Sequence, residues 1–141
     1  DKFVKFKQSV DIGTSTFGQR QAAYFCKMYD MEAHIKQITD LYAKRRDLMC
    51  DSMEKYFPQE VKFNRPQGGL FTWVTLPEGI DAKALMRKAI AKNVAYVPGV
   101  IFYPNDGEVN HFRLNYSNMT EDRIVEGVKR LGELLHEELD K

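Results

Sequence analysis

What the sequence lacks narrows the field first. No apolar run approaches the roughly 18 residues that a bilayer-spanning helix needs, and no signal-peptide pattern opens the chain, so a cytoplasmic protein without a membrane partner is expected. Only two cysteines are present, Cys26 and Cys50, far apart and without CxxC spacing, which excludes a disulfide framework and fits a reduced compartment. The three histidines, His34, His111 and His136, are widely separated, and no cysteine stands at ligand spacing from them, so no metal site is expected. There is no Walker-type phosphate loop and no GxGxxG, and no nucleophile sits in a recognisable elbow. A charge excess is missing too: 21 basic against 20 acidic side chains leave +1, which gives no reason to expect nucleic acid or an anionic surface as partner.

What is present is one domain's worth of ordinary globular sequence: 141 residues, 43% hydrophobic and 29% charged. The chain begins at Asp1, and "DKFVKFKQ" reads like the interior of an element, as expected of a piece of a longer protein. From Asp1 to about Lys27 the apolar residues Val4, Phe6 and Val10, then Phe17, Ala22, Tyr24 and Phe25, imply short helices around a polar break at "DIGTST". Their apolar content is too scattered for a core, so something else should cover them. Asp30 to Phe57 has the spacing of one long helix, with Met31, Ile35, Ile38, Tyr42, Met49, Met53 and Tyr56 along a stripe. Asp30 suits the N-cap, Pro58 the stop, and Glu32–Lys36, Asp40–Lys44 and Asp51–Lys55 are acid-before-base pairs on the exposed side. At 1.5 Å per residue such a helix is roughly 40 Å long, a length suited to bridging two bodies.

A compact α/β pattern follows. "VKF" at 61–63 reads as an edge strand, "RPQGG" as a turn, and "LFTWVTL" at 70–76 as a strong strand. Asp81 caps a short helix with Ala82, Leu85, Met86, Ala89 and Ile90 facing inward; "NVAYV" is a strand closed by Pro98 and Gly99; "HFRLNYS" at 111–117 is another. Thr120 caps the last helix, whose buried stripe is Ile124, Val128, Leu131, Leu135 and Leu139, and Gly127 and Gly132 within it imply close packing. The order from Asp30 is α-β-β-α-β-β-α, an α+β two-layer sandwich with the helices on one face of the sheet.

Within "HFRLNYS", Phe112, Leu114 and Tyr116 point to one face and His111, Arg113 and Asn115 to the other. A permanently charged planar fork at Arg113 either faces bulk water or lines a cleft that receives a carboxylate or phosphate. Leu70, Thr72, Val74 and Leu76 share one face of the neighbouring strand, Phe71 and Trp73 the other. A fully solvated face seldom carries both a Phe and a Trp, which favours a covered second face.

"RPQGGLFTWVTLP", "NVAYVPGVIFYP" and "HFRLNYS" before "TEDRIVEGVKRL", together with "KQSVDIGTSTFGQ" and "HIKQITDLYAKRRDLM", resemble the C-terminal part of fold-type-I, pyridoxal-phosphate-dependent aminotransferases. The likeness lies with the class I/II branch that includes aromatic, α-aminoadipate and kynurenine aminotransferases. It implies that residues 1–29 are a remnant of the large cofactor domain, 30–57 the helix connecting the domains, and 58–141 the small C-terminal domain. It implies that Arg113 holds the substrate α-carboxylate and, less directly, that Thr14 and Ser15 approach the active site of the other subunit in a homodimer. The lysine that forms a Schiff base with pyridoxal phosphate, and the aspartate that pairs with its ring nitrogen, would precede Asp1; Lys5 and Lys7 do not match that lysine's motif. The resemblance therefore implies no catalytic residue in this chain, no binding of pyridoxal phosphate by this chain alone, and no transamination without the missing large domain. The parent would move an amino group between amino acids and 2-oxo acids.

Two other readings remain open at this level. The same half-chain occurs fused to winged-helix DNA-binding domains in MocR-type transcription regulators, where nucleic acid would be a partner. A free-standing α/β interaction module would instead use the Trp73 face to bind a protein.

Overall fold

The computed structural model describes residues 1–140. Its elements run α1 Lys2–Val10, α2 Thr16–Met28, α3 Met31–Tyr56, β1 Lys62–Phe63, β2 Phe71–Thr75, α4 Ala82–Ala91, β3 Val97–Pro98, β4 His111–Asn115 and α5 Glu121–Leu139, with a 3-10 turn at Gly99–Phe102. The α-β-β-α-β-β-α order expected from Asp30 onward is present. Two compact units divide the chain, Asp1–Ile38 and Thr39–Lys141, so the division falls inside α3.

In the first unit neither α1 nor α2 buries a residue, in keeping with apolar positions too scattered to make a core. The break between these helices is organised by Asp11, whose carboxylate accepts bonds from the Gly13 amide at 3.0 Å and the Thr14 hydroxyl at 2.6 Å. The Thr14 bond holds the Asp11 carboxyl below the usual carboxylate range. Ser15 caps α2 by accepting from the Gly18 amide. Asp30, as expected of an N-cap, accepts from the Ala33 amide at 3.0 Å.

The second unit is built on a four-stranded antiparallel sheet of order β1-β2-β4-β3. Alternation along β2 and β4 sends Thr72, Val74, Phe112 and Leu114 to one face, with Leu76 and Tyr116 continuing it. There they meet Met49, Cys50 and Met53 of α3, Ala82, Leu85 and Ala89 of α4, and Ile124, Val128, Leu131, Leu134 and Leu135 of α5. Burying each large apolar side chain here contributes about 1.5–3 kcal/mol. Cys50 lies in this core, and burial pushes its thiol above its ordinary value. Gly132 does allow close packing: a methyl there would overlap the Tyr56 carbonyl oxygen. Gly127 faces open space instead, because α5 has turned that residue away from α3.

Several local expectations are corrected. The strand read over residues 93–97 shrinks to Val97–Pro98. The amides of Lys92, Asn93 and Val94 are taken by carbonyls of the last turn of α4, with Asn93 at φ 59, so the chain cannot pair until Val97. Pro98, read as a strand stop, lies within β3 opposite Phe112. Ile90 is exposed, since the inward stripe of α4 is Ala82, Leu85 and Ala89. Thr120 stands at the N-cap of α5 but its hydroxyl makes no capping bond. Asp51 pairs with Arg65, which also reaches Glu54 at 3.2 Å, while Lys55 lies over the Tyr56 ring.

Tyr96 ties α4 to the sheet: its buried hydroxyl donates to the Ala82 carbonyl at 2.7 Å and its ring stacks on Phe112. Burial pushes the Tyr96 phenol above its ordinary value. The folded state then keeps a proton that the unfolded chain releases near pH 10. That stabilisation is complete below the unfolded value and is lost as pH rises through the folded one. Tyr96→Phe removes this bond while the Ala82 carbonyl, at the start of α4, keeps its helical acceptor role, and is expected to cost about 0.5–1.5 kcal/mol at neutral pH. It should also shrink the alkaline loss, as thermal unfolding of the complete protein at about pH 8 and about pH 11 will measure.

Candidate functional site

The face of the sheet opposite the core carries Phe71, Trp73 and Thr75 from β2 and His111, Arg113 and Asn115 from β4. Register sets their order: Trp73 lies opposite Arg113, Phe71 opposite Asn115 and Thr75 opposite His111, while Val97 of β3 flanks Arg113 on the other side. Arg113 is thus a central-strand residue, half-buried, rather than a solvated one.

Part of its cover comes from the 3-10 turn. Pro98 ends β3, and the chain folds over the sheet at Gly99, where a Cβ would come within 2.7 Å of the His111 Cβ and 3.0 Å of the Trp73 ring. Only glycine permits that approach without displacement. The turn delivers Phe102 against Trp73, ring centroids 5.9 Å apart, and against Arg113. The Arg113 guanidinium carbon lies 3.7 Å from the Phe71 ring centroid and 4.3 Å from that of Phe102. Its Nε is buried and has no hydrogen-bond partner. A buried, unpaired donor on a charged group costs free energy unless a ligand completes it.

His111 sits beside this arrangement, buried, stacked on Trp73 at 5.7 Å and edge-on to Tyr103 at 6.5 Å. Its Nε2 is 3.5 Å from Glu108, and its Nδ1 also lacks a partner. Beyond β4, Asn115 accepts from the Ser117 amide and hydroxyl at 2.8 and 2.9 Å, and Arg45 of α3 donates to the Ser117 carbonyl. The segment after Arg113 is therefore tied to the long helix.

A cleft of about 770 Å³ in the same unit is lined by Asn93, Leu114, Asn115, Asn118, Arg123 and Arg130 among others. Size would nominate it. Chemistry does not: Arg45 Nε, His111 Nδ1 and Arg113 Nε, the buried side-chain atoms left without a partner among the described residues, are absent from its lining. The unpartnered Arg113 and His111 atoms lie on the aromatic face instead.

Thr14 and Ser15 stand in the first unit, in the turn ahead of α2, bonded to Asp11 and Gly18 respectively. Lys7 donates to the Asp11 carbonyl at 3.1 Å on an exposed helix. Sequence reading identified Arg113 and the aromatic pair on β2, but not Phe102 or the need for Gly99. The available signal was "PGVIF": a Pro-Gly reversal followed by apolar residues too few for an element yet too apolar for a solvated loop. Among the described residues no group of three or more His, Cys, Asp or Glu is placed to hold a metal ion, and no helix is long and apolar enough to cross a membrane.

The family model for aminotransferase class I and II matches residues 2–131. The aromatic-amino-acid aminotransferase 1 of Thermococcus litoralis is 45% identical over 135 residues, covering 96% of this chain and 32% of that protein. The crystal structure of Pyrococcus horikoshii kynurenine aminotransferase, in complex with PMP, superimposes with a TM-score of 0.91 at 46% identity, over 98% of this chain and 34% of that one. That of the α-aminoadipate aminotransferase from Thermus thermophilus, complexed with N-(5'-phosphopyridoxyl)-L-leucine, gives 0.91 at 34% identity, over 99% and 36%. Weaker likeness extends to an uncharacterised helix-turn-helix transcriptional regulator of Bacillus subtilis, 26% identical over 97% of this chain. The chain spans about a third of the length of the curated relatives it matches.

The glycines offer a contrast that tests the packing. Gly99→Ala is expected to destabilise by about 1–3 kcal/mol, because the turn must lift from His111 and Trp73. Gly127→Ala, with open space at its Cβ, should gain up to about 1 kcal/mol from helix propensity. Denaturant unfolding of the two variants in the complete protein measures the difference.

Proposed function

The chain belongs to the class I and II aminotransferases, and from that premise we propose that it is the C-terminal part of a pyridoxal-phosphate-dependent enzyme in which Arg113 holds the substrate α-carboxylate. The reaction would transfer an amino group from an amino acid to a 2-oxo acid, both of which carry that carboxylate. The observation that supports the role is the Arg113 guanidinium itself: half-buried, turned away from the core, packed against two rings, with a buried Nε lacking a partner. A planar fork of donors matches a carboxylate in two parallel bonds and fixes its orientation as well as its position. Fixing the carboxylate fixes where Cα and its amino group can lie, the positional part of catalysis.

Pyridoxal phosphate, when bound, supplies the electron sink that lets the Cα–H bond ionise. The residues of this chain do not by themselves fit that group. Lys7 is engaged with Asp11 on an exposed helix, and the guanidinium beside the Gly68–Gly69 turn, Arg46, is already engaged with the Gln67 carbonyl and Asp47. The tethering lysine, the ring-pairing aspartate and most of the phosphate site are assigned to the remainder of the parent. Residues 1–29 are read as a remnant of its large domain, 30–57 as the connecting helix and 58–141 as the small domain. Thr14 and Ser15 are proposed contributors to a second subunit's site in a homodimer, and the chain alone is expected to be inactive.

The enzyme reading is preferred to the regulator because the aminotransferase likeness stands at 45% identity over 96% of the chain, against 26% over 97% and 31% over 77% for helix-turn-helix regulators. The free-standing interaction module loses its basis with a family match over residues 2–131.

Arg113→Ala in the complete protein tests the role. Two charge-assisted bonds at about 1.5–3 kcal/mol each predict a fall in kcat/KM of at least about a hundredfold, for amino acid and 2-oxo acid alike. Arg113→Lys should recover only part of it, since an ammonium lacks the planar fork. Steady-state kinetics unchanged in Arg113→Ala would overturn the assignment.

A further inference from the structure

The surroundings of Arg113 carry more than its own assignment. Its two strand neighbours each contribute a ring. Phe71 stands on β2 diagonally across from Arg113, beside its direct partner Trp73, and Phe102 arrives from the turn that follows β3. The guanidinium carbon lies 3.7 Å from one centroid and 4.3 Å from the other, both within the range of a cation–π contact. Both rings therefore pack closely against the guanidinium, which leaves less of it open to water. The acid on the loop after the turn, Glu108, is drawn to His111 at 3.5 Å instead.

We propose that Phe71 and Phe102 are positioning residues that pack against the Arg113 guanidinium and hold it in place for an incoming carboxylate, so that it discriminates that carboxylate from an uncharged amide. The inference rests on the reading of Arg113 as the carboxylate-binding residue. A long arginine side chain normally loses rotamer freedom when it binds, and that loss subtracts from affinity. Two rings packed against the group remove part of that freedom in advance. They also surround the ion pair with apolar groups, where charge-assisted bonds are stronger than in water. Phe102 depends in turn on Gly99, whose contact with His111 and Trp73 brings the turn down onto the sheet. Both rings are partly exposed, Phe102 at 43% and Phe71 at 37%, so neither is a core residue whose replacement would unfold the sheet.

The test uses the complete, cofactor-loaded protein and two unreactive probes, 3-phenylpropanoate and 3-phenylpropanamide, with binding followed by titration calorimetry. The wild type is expected to bind the acid at least tenfold more tightly than the amide. Phe102→Leu and Phe71→Leu should each weaken the acid by about tenfold, equivalent to about 1.4 kcal/mol, and leave the amide unchanged. Phe102→Tyr, which keeps the ring face, should restore wild-type values, and the thermal midpoint and the absorption of the bound cofactor should stay unaltered in all three. If the leucine variants keep the wild-type preference while Arg113→Ala abolishes it, the positioning by the rings is overturned and the role of Arg113 stands. If they weaken acid and amide equally, the rings are walls of the site rather than positioners, and the proposal is overturned. If the wild type shows no preference, or Arg113→Ala retains it, both the proposal and the reading beneath it are overturned.

Discussion

The antiparallel ladder between β2 and β4 is the constraint on which the rest of the second unit depends. Five residues of each strand pair in register, from Phe71 with Asn115 to Thr75 with His111. Because side chains alternate, that register decides two things at once. It sets Val74 beside Phe112 and Thr72 beside Leu114 in the core, and Trp73 beside Arg113 on the opposite face. A slip of one residue would drive a guanidinium into the helices and expose a core residue such as Phe112. The cost of burying an unpaired charge holds the register as firmly as the gain from packing the apolar face.

That same register gives the second face its chemistry. Arg113 occupies a central strand, so rings can approach it from both neighbouring strands, and the 3-10 turn supplies one that a simple hairpin connection would not. Its buried Nε and the neighbouring Nδ1 of His111 are left without partners on a face that also carries Phe71 and Trp73. Unsatisfied buried donors are costly to stability, and proteins tend to retain them where a ligand or partner completes them. Under the aminotransferase reading the substrate carboxylate plays that part for Arg113. On the core side of the unit, by contrast, the Tyr96 hydroxyl goes to the Ala82 carbonyl and the Thr72 hydroxyl to the Asn64 carbonyl.

Much of this was legible in the sequence where the signal was local and periodic. The long helix from residue 31 to 56, the strand around Trp73 and the stripe of α5 follow from repeat spacing and flanking caps. Legibility failed where tertiary bonds competed with local preference. "NVAYV" has a strand's composition, yet the closing turn of α4 claims the amides of Asn93 and Val94, and Tyr96 is pulled inward by its bond to Ala82. Gly127 and Gly132 look equivalent in a helix; one faces open space and the other sits against the Tyr56 backbone. Asp51 stands four residues before Lys55 but takes Arg65, whose fork reaches two acids on α3 at once.

The candidate site divides along the same line. Sequence alone determined that Arg113 shares a face with His111 and Asn115, and Phe71 with Trp73, because the two-residue period of a strand needs no knowledge of the fold. The resemblance of its quoted stretches to aminotransferases pointed to the family as well, and the class I and II model matches residues 2–131. Tertiary structure decided which residues meet across that face. Phe102 lies 11 positions before Arg113 in a segment of no regular period, and it reaches the guanidinium only because Gly99 lets the turn settle onto His111 and Trp73. Contact between such residues depends on strand order, register and the absence of a single Cβ, and none of the three is encoded in local spacing.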